Sequence, residues 1–183
     1  DGESLERISP AELLKKRIVY LSRNRKQSGL FFEMEAYYNI GCPILPRFAS
    51  FGLLDRRQMQ KFAAESIEQF GIVIPSVNTK PRHLSGGNQQ KLMLSICLGT
   101  RPRCIIINEP TRGIDVGAKV EVHRLIRELV QGGTSVIIFS SELPELVSLC
   151  NRVLVMKNKR IAGELSGDRI SEEAIMTYAA GGS

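Results

Sequence analysis

Two strings about one helix length apart restrict what this chain can fold into: LSGGNQQK at residues 84–91 and IIINEPTRGID at residues 105–115. The first sets a serine and a diglycine at the entry of an amphipathic run. N–H groups in the first turn of a helix point outward and carry partial positive charge, so Gly86 and Gly87 would let a phosphate approach closely, with Ser85 adding a hydroxyl donor. The same residues also suit a plain serine N-cap followed by turn glycines. The second string is an apolar strand that ends in Asn108 and Glu109. A rigid strand end holding carboxylates beside a phosphate is what a nucleotide hydrolase uses to fix Mg²⁺ and orient water. The bare alternative is a strand that stops at a turn with Pro110.

Composition narrows the class without naming it. With 183 residues, 43% hydrophobic and 24% charged, the chain can bury an ordinary globular core. Its longest apolar runs are of strand length, too short to span a bilayer. The opening Asp1, Gly2, Glu3 does not read as a secretory leader. Cys42, Cys97, Cys104 and Cys150 are scattered without a C-x-x-C pair, and His83 and His123 are the only histidines. A zinc site is therefore not expected, and the cysteines read as reduced, buried residues of a cytosolic protein. Net charge is +6, and Lys15, Lys16, Arg17, Arg23, Arg25 and Lys26 fall within twelve residues. With no aromatic residues interleaved to stack bases, this run reads as a solvated edge rather than a surface for nucleic acid or acidic lipid.

Strands alternate with helices along the chain, which argues an α/β layer with a mainly parallel sheet. Ser9, Pro10 and Glu12 start a short helix at 9–16 through a capping box, and 18–21 reads as a buried strand. From 31 to about 75 the sequence becomes aromatic and mixed helical, with Asp55 opening a helix that carries Met59, Phe62, Ala63, Ile67 and Phe70 on one face. The diglycine leads into a helix over about 88–99, followed by a strand at 104–107. A helix at 118–131 has Val122, Leu125, Ile126, Leu129 and Val130 as its apolar stripe. Gly132 and Gly133 end it before a strand at 135–139. A short helix at 143–149, a hairpin of 153–156 with 160–164 about Asn158, and a last helix from Ser171 through Ala180 complete the chain.

Together the two strings resemble the signature motif and the Walker B/D-loop segment of ATP-binding cassette (ABC) ATPases. TRGIDVGAK at 111–119 and SSELPE at 140–145 further resemble the second nucleotide-binding half of tandem sugar-importer ATPases of the ribose, galactose and xylose type. The resemblance implies a P-loop NTPase-like α/β domain with an added α-helical subdomain. It divides the chain into an ATP-binding-core remnant with the Q-loop (1–30), a helical subdomain ending in the signature helix (31–100), and the core with Walker B, D-loop and switch (101–183). It implies ATP and Mg²⁺ as cofactors. Ser85, Gly86, Gly87 and Gln89 would then meet the γ-phosphate of a nucleotide held mainly by another domain. Asn108 and Glu109 would stand at Walker B with Glu109 as general base, Asp115 on the D-loop, Arg23 at the Q-loop position and Ser141 at the switch position.

Departures from the family pattern sharpen this. The family has aspartate where Asn108 stands and histidine where Ser141 stands. The related halves have an acidic pair in a run like S-E-D-R-K where residues 22–26 read SRNRK. No G-x-x-x-x-G-K-[ST] string occurs, so the chain reads as a fragment cut after Walker A, with Asp1 and Gly2 just beyond that loop. The expectation is a lender of half an ATP site, inactive alone, within a sugar importer. The implied partners are another nucleotide-binding domain, membrane permease subunits facing 31–75, and indirectly a periplasmic sugar-binding protein. The implied location is the inner face of the cell membrane, and uncovered apolar sheet would favour self-association. An ABC-type head acting on nucleic acid, or a non-catalytic ABC-derived interaction module, are the alternatives. The wording of 111–119 and 140–145 favours the importer, so no nucleic-acid partner is expected.

Overall fold

A computed structural model describes residues 9–181. The reading of Asp1 and Gly2 as lying beyond a phosphate-binding loop falls outside them. The chain divides into two compact units, residues 1–137 and 138–183.

In the first unit, α1 (Pro10–Lys15) begins with the expected capping box: Ser9 Oγ accepts from Glu12 N, and the Glu12 carboxylate accepts from Ser9 N at 2.8 Å. The Ser9 bonds hold the Glu12 carboxyl below its usual range. A sheet of order β1-β4-β5 follows, from β1 (Ile18–Leu21), β4 (Cys104–Asn108) and β5 (Ser135–Phe139). β1 and β4 are parallel, with Ile18 opposite Cys104 and Leu21 opposite Ile107. β1 is not the buried strand that its apolar run suggests: Leu21 is enclosed, but Tyr20 is 55% exposed. Among the described residues β1 lies at an edge of this sheet, and the exposure of Tyr20 and Ile137 shows one sheet face open to solvent.

Between β1 and β4, α2 (Ala36–Gly41), α3 (Arg56–Gln69) and α4 (Gly86–Gly99) pack on one another. Asp55 caps α3 by accepting from Gln58 N at 3.0 Å, and Met59 and Ala63 are buried as the periodicity requires. The stretch read as mixed helical also contains a hairpin, β2 (Ala49–Ser50) with β3 (Leu53–Leu54). Its turn residues Phe51 and Gly52 both have positive φ, the conformation that two-residue hairpins favour. Leu92, Leu94, Ile105, Ile107, Val122, Leu125 and Ile126 are buried in the first unit. On α5 (Val116–Gln131), Val130 leaves the expected stripe and is 53% exposed. Eight residues past Val122, it is rotated by roughly 80° from that position.

The second unit is built on an antiparallel hairpin, β6 (Arg152–Lys157) with β7 (Arg160–Ser166), turning through Asn158 and Lys159 at φ 49° and 65°. Val153, Val155 and Leu165 pack with Ile175 of α7 (Glu172–Ala180), and α6 (Leu143–Leu149) adds Leu143 and Leu146. Gly163 lies so close under the Tyr178 ring that a side chain there would collide with it.

All four cysteines are half-buried rather than fully buried, and none is disulfide-bonded. Burial pushes the Cys97 thiol up to about 12, so it stays neutral inside α4. No group of three or more His, Cys, Asp or Glu among the described residues could hold a metal ion. None of the described helices is long and apolar enough to cross a membrane.

Candidate functional site: the α4 and α5 entrances

Ser85 ends an extended segment at φ −61° and ψ 159°, and α4 begins at Gly86, two residues before the sequence-based start. The diglycine is thus the first turn itself. By helix geometry, the N–H groups of Gly86 and Gly87 have no intrahelical acceptor. Ser85 Oγ accepts twice, from Asn88 N at 3.3 Å and from Asn88 Nδ2 at 3.0 Å. The orientation of the Asn88 amide is set by Val73, whose backbone N donates to Asn88 Oδ1 at 2.8 Å. A serine hydroxyl has two acceptor lone pairs and one proton. With both acceptor positions of Ser85 filled and the residue exposed, its proton is left to donate outward.

Gln89 faces a different way. Its Nε2 donates to the carbonyls of Pro81 and Leu84, each at 3.1 Å, so its amide braces the turn leading into Ser85. Lys91, the last residue of the string, is buried, with Nζ 2.5 Å from Gly71 O and 2.6 Å from Glu121 Oε2. It fastens α4 to the residue just beyond α3 and to α5. Nothing in the sequence marked this lysine as buried, because a charged side chain in an amphipathic run ordinarily faces water.

Asp115 caps α5, accepting from Ala118 N at 2.9 Å, so α5 also begins two residues earlier than its apolar pattern suggested. The two helix entrances touch. A methyl group on Gly87 would stand 2.6 Å from Ala118 Cβ, and one on Gly86 would stand 3.0 Å from Gly113 O. The structure therefore brings Ser85, Gly86, Gly87 and Asp115 onto one edge. It also adds Arg25, whose Nη1 donates to Gly86 O at 2.8 Å and Nη2 to Gly113 O at 3.3 Å. Partial burial lowers the Arg25 pKa, but a guanidinium remains charged. The basic run is thus no uniform solvated edge, since Arg17 Nε also donates to Arg101 O at 2.7 Å. Both arginines donate to backbone carbonyls that the fold brings within reach, Arg25 partly buried and Arg17 still exposed.

Asn108 and Glu109 close β4. Asn108 Nδ2 donates to Tyr20 Oη at 3.0 Å, across to β1, and Glu109 sits at φ 53°. Arg23 is exposed just after β1, at the same sheet end. A Mg²⁺–phosphate group fits this strand end poorly, because the amide is neutral and directs a donor nitrogen at Tyr20. Ser141 is exposed and lies in the second unit, shortly before α6.

A parallel sheet flanked by a helical cluster, with a glycine-entered helix meeting an aspartate-capped one, defines an ATP-binding-cassette fold. Solved cassettes share it: the dimeric MJ0796, in a post-hydrolysis state bound to ADP and Pi, matches with a TM-score of 0.74 at 21% identity, covering 91% of this chain and 71% of that one. The ADP conformation of MJ1267 matches with a TM-score of 0.73 at 22% identity, covering 97% of this chain and 70% of that one. The chain belongs to the ABC transporter family, whose model matches residues 1–112. It is similar to the ribose import ATP-binding protein RbsA 2 of Escherichia coli O157:H7, with 43% identity over 181 residues, 99% of this chain and 36% of that protein. The protein of the same name from Rhizobium meliloti (strain 1021) is 46% identical over 177 residues, 97% of this chain and 34% of its own length. The chain therefore spans about a third of the length of the curated relatives it matches.

Proposed function

We propose that this chain supplies the signature and D-loop edge of an ATP site completed by another nucleotide-binding domain, within the ATP-binding subunit of a sugar importer. The observation that carries the reading is Ser85: its acceptor positions are filled by Asn88, which leaves a single outward donor beside the free N–H groups of the first turn of α4. That arrangement suits a phosphate oxygen, and Asp115 on the adjoining entrance suits a contact across the same interface. Gln89 serves the edge from beneath by holding the 81–84 turn. ATP with Mg²⁺ is the cofactor, with the metal held mainly by the other domain. Asn108, Glu109 and Arg23 belong to the chain's own, weaker site, with Glu109 as its base, and Ser141 stands at the switch position of its own unit.

Within this reading, 1–30 and 101–183 are core and 31–100 is the helical subdomain. The segment 31–75 faces permease subunits, and a periplasmic sugar-binding protein acts indirectly. The protein works on the cytoplasmic face of the cell membrane, and no nucleic-acid partner is needed. The uncovered sheet face with Tyr20 and Ile137 favours self-association of the isolated chain.

Two measurements test the reading. Calorimetry on the 183-residue chain should detect no ATP binding at micromolar concentration, and a micromolar Kd would overturn the division of labour. In the complete transporter, Ser85→Arg should lower ATPase turnover by at least about tenfold, roughly 1.4 kcal/mol of transition-state stabilisation, and by more than Glu109→Gln does. The reverse ranking would assign the chemistry to this chain's own strand end.

A further inference from the structure

We propose that Arg25 is a positioning residue whose guanidinium fork locks the first turn of α4 to the 111–115 loop, so that Ser85, Gly86, Gly87 and Asp115 are presented as one rigid edge. Its two terminal nitrogens address two carbonyls from segments far apart in sequence, Gly86 and Gly113. Both acceptors are glycines for a visible reason. A side chain at Gly86 would stand 3.3 Å from Arg25 Nη1, and Gly113 combines φ +68° with an approach of 3.3 Å to Nη2.

The segment that carries Arg25 is itself held. Asn24 Oδ1 accepts from Gln27 N at 3.2 Å, and Ser22 and Ser28 hydroxyls share a 2.6 Å hydrogen bond. Gly29 presses on α4 so closely that a methyl group there would stand 2.5 Å from Met93 Cε. The loop after β1 is therefore seated on α4 at two points, four residues apart, with Arg25 at the entrance and Gly29 further along. Displacing this loop carries the signature turn and the 111–115 loop with it. A planar fork presents two terminal nitrogens at a fixed spacing, one for each carbonyl, whereas an ammonium has one nitrogen to divide between them.

The inference rests on the ATP-edge reading only for its consequence, since the lock is measured without nucleotide. Hydrogen exchange on the 183-residue chain should show the hydrogen-bonded amides of Asn88, Gln89, Ala118 and Lys119 exchanging about tenfold faster in both Arg25→Met and Arg25→Lys, with α3 and the second unit unchanged. Nitrogen NMR should show the Arg25 Nη signals of the unaltered chain resolved by slowed rotation about Nε–Cζ. Unchanged protection in Arg25→Met, protection lost uniformly along the chain, full protection in Arg25→Lys, or rapidly averaged Nη signals would each overturn it. If Arg25→Met does not fold, Arg25→Lys and the Nη signals decide.

Discussion

The α4–α5 edge and the end of β4 are both built from motif residues, yet they are finished to different degrees. At the edge, the polar groups serve one another: Val73 orients Asn88, Asn88 fills Ser85, Arg25 ties Gly86 to Gly113, and Gly87 lets α5 approach. At the strand end, Asn108 has become a neutral amide that donates to Tyr20, and Arg23 stands in solvent. Pre-organisation lowers the cost of meeting a ligand, so in the proposed division of labour the edge is the better prepared of the two regions to meet phosphate.

The largest effect should come from breaking the helix contact. Gly87→Ala places its methyl 2.6 Å from Ala118 Cβ, a distance that forces α4 and α5 apart. Overpacking of this kind costs about 1–3 kcal/mol, read as a lower urea midpoint at unchanged slope. Ala118→Gly in the same chain should recover most of it. A Gly87→Ala chain as stable as the parent would show that the two entrances are not packed as a unit.

Next in size is Lys91→Met. The substitution keeps the apolar stem but removes the hydrogen bond to Gly71 O, and because Gly71 is exposed its carbonyl can turn to water, so the cost is about 0.5–1.5 kcal/mol. Losing the pair with Glu121 adds little, since that carboxylate is half in water and screened. Glu121→Gln should accordingly destabilise less than Lys91→Met under the same urea titration. The opposite order would mean that the ion pair, and not the carbonyl bond, holds α4 in place.

How much of this was legible depends on whether a residue's partner is near in sequence. Capping is local, so Ser9, Asp55, Ser85, Asp115 and Ser171 could be read as helix starts, and each accepts from the backbone N–H three residues on. Periodicity likewise placed Val122, Leu125 and Ile126 inside. Arg25 and Lys91 could not be read in this way, because their acceptors lie 61 and 88 residues away for Arg25 and 20 and 30 for Lys91. Their charge argues for solvent until the fold supplies carbonyls. Tyr20 fails from the other direction: an apolar strand run argues for burial, but Tyr20 stands on the sheet face that is open to solvent while its neighbour Leu21 is buried on the other. The short hairpin at 49–54 was missed because two-residue strands carry no periodicity, and its only mark was Gly52 beside an aromatic residue.

The smallest expected effect is also the most discriminating. Asn108→Asp restores the carboxylate that the family places at this strand end, and it costs little in stability. Tyr20 Oη accepts from Asn108 Nδ2 at 3.0 Å, and a phenol can reverse its role and donate to the new carboxylate. The change should therefore stay within about 0.5 kcal/mol by urea unfolding. If the weakness of this site comes only from the lost charge, Asn108→Asp would confer micromolar, Mg²⁺-dependent ATP binding on the chain. We expect no such gain, because one carboxylate at a strand end does not replace the backbone amides and lysine that cradle β- and γ-phosphates in a nucleotide site. Ser85→Ala, by contrast, removes about 1 kcal/mol of N-cap stabilisation together with the outward donor. A chain in which Asn108→Asp binds Mg²⁺–ATP, while Ser85→Ala leaves stability untouched, would invert the two regions' roles.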